Sequence, residues 1–119
     1  MALTREFKEL VAENVRRDPA FRRELLCEAL NVCLEGDFAT GKIVLRDLVN
    51  ATIGFEGLAR RLGIPSKSLH RMLSSNGNPS SQNFFAIIGA LTRETDVKLS
   101  VAAGRRGSRR RVRSKLVRG

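Results

Sequence analysis

Residues 54–73, GFEGLARRLGIPSKSLHRML, carry the pattern that decides the fold. The pattern predicts two short helices joined by a tight turn, with Gly63 at the turn position that usually requires a positive φ. Pro65 is predicted to begin the second helix. Ala59 must be small because the second helix crosses close to it. The positions predicted to face inward are Leu58, Ala59, Leu62, Ile64, Leu69 and Met72.

The outer surface of the second helix is polar and basic, which suits a nucleic acid. It carries Ser66, Lys67, Ser68, His70 and Arg71. Lys67 and Arg71 are four residues apart, so they share one face and can donate to guanine O6 and N7 in a major groove. Phosphate contact is the alternative for both side chains. Arg60 and Arg61 lie on the first helix, and we expect them near the DNA backbone.

The rest of the chain is predicted to be helical up to residue 93, since apolar residues recur there at helical spacing. This predicts an all-α domain of five or six helices. Asp18 and Asp37 are predicted to cap the second and third helices, and Ser80 or Ser81 the last. Gly41 lies inside the third helix and weakens its first turn. The last helix has a predicted apolar face of Phe84, Phe85, Ile87, Ile88 and Leu91.

A single strand is predicted after the last helix. In residues 97–101, VKLSV, apolar and polar residues alternate, as they do in a half-buried strand. One strand in a helical chain leaves backbone groups without partners, so we expect it to pair with the same strand of a second copy in a homodimer. The alternative is a short extended segment packed on the helices.

The formal net charge of +10 is concentrated in two stretches. Residues 1–56 carry eight basic and ten acidic side chains, whereas residues 57–93 carry five basic and no acidic ones. Residues 104–119 carry eight basic side chains and no acid. This distribution predicts a polyanionic partner. We expect a DNA-binding domain over 1–103 and a flexible basic tail over 104–119, which either contacts phosphates or is only a solvated extension.

Catalytic and metal chemistry find no support in the sequence. It has no glycine-rich phosphate loop, and Cys27 and Cys33 lie about 240° apart on one helix, too far around to chelate together. His70 is the only histidine and fits a phosphate or solvent contact better than catalysis. We therefore expect no enzyme activity, no metal and no cofactor. Without a signal peptide or an apolar run of about 18 residues, we expect a cytoplasmic protein with no membrane contact.

A family resemblance extends these expectations. Residues 58–91, LARRLGIPSKSLHRMLSSNGNPSSQNFFAIIGAL, resemble the Cro/lambda-repressor class of helix-turn-helix regulators. Over residues 18–101 the wider pattern is most similar to the addiction-module antidote proteins, the antitoxins of small toxin–antitoxin operons. The elements that carry this likeness are Glu35-Gly36-Asp37, Leu45-Arg46-Asp47 and Asn78-Pro79. The chain departs from the family in its basic tail and in Leu91-Thr92-Arg93, where the family usually has a Leu-Gly pair.

The resemblance implies a dimeric protein that binds operator DNA, represses its own operon and neutralises a cognate toxin, usually a basic ribonuclease. It adds Asn78 to the residues expected to contact DNA. Two other functions remain open on the sequence. One is a protein-interaction module that mainly holds a toxin partner. The other is a non-specific nucleic-acid-binding protein driven by the basic tail.

Overall fold

The computed structural model describes residues 5–105, and this part of the chain folds into six helices. In chain order they are α1 (Arg5–Arg17), α2 (Pro19–Leu34), α3 (Phe38–Ala51), α4 (Gly54–Leu62), α5 (Ser66–Met72) and α6 (Ser81–Glu94). The prediction of an all-helical fold is therefore confirmed over the described residues. None of the six helices is long and apolar enough to cross a membrane.

Three of the helices begin at side chains that were predicted to cap them. The Asp18 carboxylate accepts a hydrogen bond of 3.0 Å from the amide two residues on, at the start of α2. Asp37 and Ser80 accept bonds of 3.2 and 3.1 Å from the amides three residues on, at the starts of α3 and α6. Each bond satisfies an amide that the first helical turn leaves unpaired. The caps therefore fix where these helices begin.

The closest packing in the fold lies between α2 and α3. These two helices share the most extensive contact, and α1 packs against both. They cross at Gly41 of α3, where a Cβ atom would overlap the Sγ of Cys33 and lie 3.0 Å from the carbonyl oxygen of Ala29. Because glycine has no Cβ, the two backbones can approach this closely. The glycine that weakens the helix by its propensity is thus required by the packing.

Helices α4, α5 and α6 join the first three mainly through α4, which contacts α3, α5 and α6. One apolar cluster runs through all six helices. Its buried members are Val15, Leu26, Ala29, Leu45, Leu48, Val49, Ala51, Phe55, Leu58, Leu69, Leu73, Ile87, Ile88, Ala90 and Leu91. Because the cluster is continuous, α4 to α6 are held on α1 to α3 by the same core.

The last helix ends in a tight backbone turn. Asp96 has a φ of 57°, in the left-handed region, two residues beyond the end of α6. The Val97 amide donates back to the Thr92 carbonyl at 2.9 Å. A left-handed residue followed by this long backward bond is a common way to close a helix C-terminus. The turn directs the following residues back onto the core.

Residues 97–101 form no strand within the described part of the chain. Val97 and Leu99 pack against the core while Lys98 and Ser100 are exposed, so the predicted alternation is present at these four positions. Val101 is fully exposed. Within one chain, residues 97–100 therefore match the alternative interpretation, a short segment packed on the helices. Pairing of this segment with a second copy stays a prediction. Residues 106–119 of the predicted tail lie outside the described residues.

The predicted apolar face of α6 is wrong at one position. Phe85 is 66% exposed, whereas Ile87, Ile88 and Leu91 are buried as predicted. Its ring meets the edge of the half-buried Phe84 ring, with centroids 5.6 Å apart. Phe85 lies about 100° around the helix from Phe84, outside the part of α6 that the core covers. The Phe84 ring lies nearer the core and also meets the Phe38 ring of α3, with ring centroids 5.3 Å apart.

Candidate nucleic-acid interface

The helices α4 and α5 are joined by a turn that α4 itself stabilises. Gly63 has a φ of 68°, as the sequence predicted, and its amide donates to the Ala59 carbonyl at 2.8 Å. The Ile64 amide donates to the same carbonyl at 3.3 Å. A residue without Cβ adopts this backbone with the least strain, so glycine is strongly favoured here. Helix α5 begins at Ser66, one residue later than predicted, with Pro65 just before it.

The inner faces of the two helices follow the prediction. Leu58 and Leu69 are fully buried. The other predicted inward residues are partly buried against the core: Ala59, Leu62, Ile64 and Met72. Leu73, directly after α5, is also fully buried and was missing from the predicted set. Its position four residues after Leu69 is the signal that could have identified it.

The structure places on the outer surface of α5 the five residues that were predicted to face outward from it. Lys67, His70 and Arg71 are exposed, whereas Ser66 and Ser68 are half-buried. The His70 ring stacks on the ring of Phe55 in α4, with centroids 3.8 Å apart and planes inclined by 21°. This stacking holds the imidazole at the junction of the two helices, so its polar edge has a defined position.

The acid-free stretch of sequence receives carboxylates from its neighbours in space. The Ser66 hydroxyl donates to the Glu56 carboxylate of α4 at 3.1 Å, which brings a negative charge to the start of α5. Glu94, at the end of α6, lies 3.4 Å from the Arg61 guanidinium. Arg61 is therefore partly neutralised, in contrast to the neighbouring Arg60. The sequence placed these two arginines together, and the fold gives them different surroundings.

Three cations remain available on this surface. Among residues 5–105, Arg60, Lys67 and Arg71 are exposed and form no ion pair. Lys67 and Arg71 lie one turn apart on α5, and Arg60 lies in the last turn of α4. An unpaired cation on the surface keeps its full charge for a partner, apart from screening by salt. The surface defined by these residues together with Ser66, Ser68 and His70 is called the α4–α5 surface below.

The loop of residues 74–79 packs against the end of α5. Its first residue, Ser74, donates to the Arg71 carbonyl at the end of α5 from its amide at 3.2 Å and from its hydroxyl at 2.7 Å. A Cβ atom at Gly77 would overlap the carbonyl oxygen of Arg71, so the loop backbone lies directly against the end of α5. Asn78, predicted to contact DNA, is exposed on this loop.

A residue that the sequence analysis did not select holds the same loop. Lys42 of α3 is 3% exposed, and its ammonium donates to the carbonyl of Ser75 at 3.3 Å and of Gly77 at 2.5 Å. The ammonium also lies 5.0 Å from the centre of the Phe38 ring. The signal was present in the sequence, since position 42 lies in the apolar stripe of α3 between residues 38 and 45. A lysine in such a stripe must find polar partners.

The described residues contain no cluster of three or more metal-ligand side chains. Burial raises the pKa of the Cys27 thiol, and burial followed by the charge of Asp37 raises the pKa of the Cys33 thiol. Both thiols are therefore less readily ionised than an exposed cysteine and are weak metal ligands or nucleophiles. No family model matches this sequence, and no curated protein or solved structure is significantly similar to it.

Proposed function

We propose that this chain is a sequence-specific double-stranded DNA-binding regulator of transcription, with α4 and α5 as a helix-turn-helix. The observation that carries the proposal is the α4–α5 surface. It combines a glycine-closed turn between two short helices with unpaired, exposed Lys67 and Arg71 on the second helix. Helix-turn-helix proteins place the first residues of the second helix against base edges in the major groove.

In this proposal, the roles of the side chains follow from their chemistry. Arg71 and Lys67 donate to guanine O6 and N7, the commonest specific contact in protein–DNA complexes. Ser66 and Ser68 are short donors that reach either a base or a phosphate. Arg60 is assigned to the DNA backbone, because it is exposed at the end of α4 and keeps its charge. Contacts to the DNA backbone fix the position of the protein and carry little sequence information.

His70 and Asn78 are assigned to phosphates on either side of the groove. The His70 ring is held against Phe55 and presents its edge at the surface. Asn78 is exposed on the loop that follows α5. An imidazole N–H and a side-chain amide can both donate to phosphate oxygens. Arg61 has a lesser role, since Glu94 already occupies its guanidinium.

The proposed regulator is a homodimer joined through residues 97–101. The support is the alternation at this segment together with the exposed Val101, which has no partner among the described residues of one chain. Two copies related by a two-fold axis would present two α5 helices to one side of the DNA. Such dimers bind two half-sites about 34–36 Å apart, so the proposed operator is a palindrome.

The proposed setting is an antitoxin-like autorepressor of a toxin–antitoxin operon. Its support is the sequence resemblance carried by Glu35-Gly36-Asp37, Leu45-Arg46-Asp47 and Asn78-Pro79. Co-expression with the neighbouring reading frame tests this part separately. A small basic protein that co-purifies with the chain would support it. If that protein co-purifies with the chain but the chain shows no sequence preference for DNA, an interaction module would be the better description.

The main experiment compares Arg71→Ala with Arg23→Ala, an exposed arginine of α2 away from the α4–α5 surface. A DNA site is first selected by the full chain from a random library. Arg71→Ala is expected to weaken binding to that site by ~1–3 kcal/mol and to relax the preference for one base pair, because a base contact is lost. Titrations with the selected site and with random DNA measure both effects.

Equal losses on the two DNAs would contradict a base-reading role for Arg71. The second candidate function, non-specific binding by the tail, is favoured by the eight basic side chains of residues 104–119. Deletion of these residues decides between the two functions. The helix-turn-helix proposal expects a shallower salt dependence with the sequence preference retained. Loss of the preference together with the tail would favour the second candidate.

A further inference from the structure

Lys42 is the one charged side chain among the described residues that is buried. It lies on α3, whose other buried residues are almost all apolar. It forms no ion pair within residues 5–105. Burying a cation costs free energy unless polar groups replace the water it loses. An apolar side chain such as methionine would fill the same space without that cost, so packing alone does not account for a lysine at this position.

The polar groups that receive Lys42 all belong to one piece of backbone. Its ammonium donates to the carbonyls of Ser75 and Gly77, 33 and 35 residues further along the chain. The ring face of Phe38 lies on another side of the ammonium, at 5.0 Å. Hydrogen bonds from a charged donor are stronger than those between neutral groups. Lys42 therefore ties the loop of residues 74–79 to α3.

The loop that Lys42 holds is in turn fixed to the end of α5. Ser74 donates twice to the Arg71 carbonyl, and Gly77 packs against the carbonyls of Arg71 and Met72. The carbonyl end of a helix carries a partial negative charge, which favours a cation nearby. The end of α5, the loop and the ammonium thus form one connected unit. The loop then leads directly into the Ser80 cap of α6.

We propose that Lys42 is a positioning residue for DNA recognition, acting through its hydrogen bonds to the loop of residues 74–79. By fixing this loop it sets the distance from the base-reading side chains of α5 to Asn78, which we assign to the phosphate backbone. Specific binding needs both sets of contacts at once, whereas non-specific binding does not. The inference rests on the proposed DNA-binding function and names a further determinant of its specificity.

The test uses the full chain with Lys42→Met, and Lys8→Met as the matched control at an exposed lysine of α1. Amide hydrogen exchange without DNA reports whether the loop is held. In Lys42→Met we expect exchange in residues 74–79 to rise at least about tenfold, as for the loss of hydrogen bonds to a charged donor, while α1 and α2 stay protected. Lys8→Met is expected to match the unmodified chain.

DNA titrations then report the consequence for recognition. For Lys42→Met we expect the ratio of affinities for the selected site and for random DNA to fall about tenfold, the effect of one misplaced contact. The salt dependence of binding should stay unchanged, because Lys42 is buried and releases no counterion from DNA. A slope lower by about 1 would mean that Lys42 contacts a phosphate itself, and would overturn the positioning role.

Other outcomes contradict the proposal at separate points. Unchanged exchange in the loop would show that Lys42 does not hold it. An equal fall in discrimination for Lys8→Met would show a general effect of charge. If the unmodified chain shows no sequence preference, the proposed function fails, and the exchange data still report whether the loop is held. Should Lys42→Met not melt cooperatively, Phe38→Leu replaces it, with a smaller rise in loop exchange expected because the ring beside the ammonium is lost.

Discussion

In α1 to α3, charged side chains serve the helices themselves, whereas in α4 and α5 several of them are left to solvent. Glu13 of α1 forms ion pairs with Arg16 and Arg17, and the carboxylates of Asp18 and Asp37 cap the next two helices. On the α4–α5 surface, Lys67 and Arg71 have no such partner among the described residues. The difference separates charge used for stability from charge kept for a ligand.

The two halves also differ in how they are held. The helices α1 to α3 are 13, 16 and 14 residues long and pack closely on one another. The helices α4 and α5 have only nine and seven residues, and neither has a side-chain cap at its start. Helices this short are not stable alone and depend on tertiary contacts. The helices α4 and α5 must therefore be held in place by their buried leucines, and the loop after α5 by Lys42.

Leu69→Ala gives the largest effect that we expect. Leu69 is the buried residue within α5, and its loss leaves a cavity where that helix meets the core. Losses of ~2–5 kcal/mol are usual for such a change, and chemical denaturation measures the free energy of unfolding. Leu34→Ala, at the 85% exposed last position of α2, is the matched control and should cost almost nothing. Equal values for the two variants would show that α5 does not depend on this contact.

Gly41→Ala addresses the first half by the same measurement. The added Cβ would overlap the Cys33 Sγ and press on the Ala29 carbonyl, so α2 and α3 must separate. We expect a loss of ~1–3 kcal/mol, as for other overpacked cores. Gly89→Ala in α6 is the matched control, because its Cβ meets nothing within 4 Å. That variant should gain roughly 0.5–1 kcal/mol from helix propensity. A stabilising Gly41→Ala would contradict the close approach of the two helices.

Glu56→Gln gives the smallest effect and tests the boundary between the two uses of charge. The carboxylate lies at the start of α5, and DNA phosphates would repel it. We expect tighter binding to selected and random DNA alike, by about 1 kcal/mol or less, in titrations at low salt. Glu9→Gln on α1 is the control and should change little. A loss confined to the selected site would instead mean that Glu56 accepts a hydrogen bond from a cytosine amino group.

Local features of this fold could be predicted from the sequence because their causes are local. The Asp18, Asp37 and Ser80 caps each bond to an amide two or three residues away, and Gly63 was identified by its place in a short pattern. The inward faces of α4 and α5 follow from helical periodicity. These are the parts of the candidate site that a single sequence specifies most directly.

What the sequence did not reveal depends on residues far apart in the chain. Lys42 meets a loop more than 30 residues away, and Arg61 meets Glu94 across a similar separation. Local periodicity carries no information on such pairs, so a stretch of sequence without acidic residues does not by itself predict a surface without them. Phe85 was misplaced for another reason. A stripe of apolar residues indicates which face of a helix is buried. How much of that face is covered depends on the neighbouring helices, and they leave Phe85 exposed.

The turn at Gly63 affects how the α4–α5 surface can evolve. The Gly63 and Ile64 amides both donate to the Ala59 carbonyl, so these two bonds of the turn do not involve the outward side chains of α5. Substitutions at Lys67 or Arg71 therefore leave the bend and the buried leucines intact. New preferences for a ligand can then arise by single mutations without a loss of folding, and related chains could diverge in what they bind while keeping one scaffold.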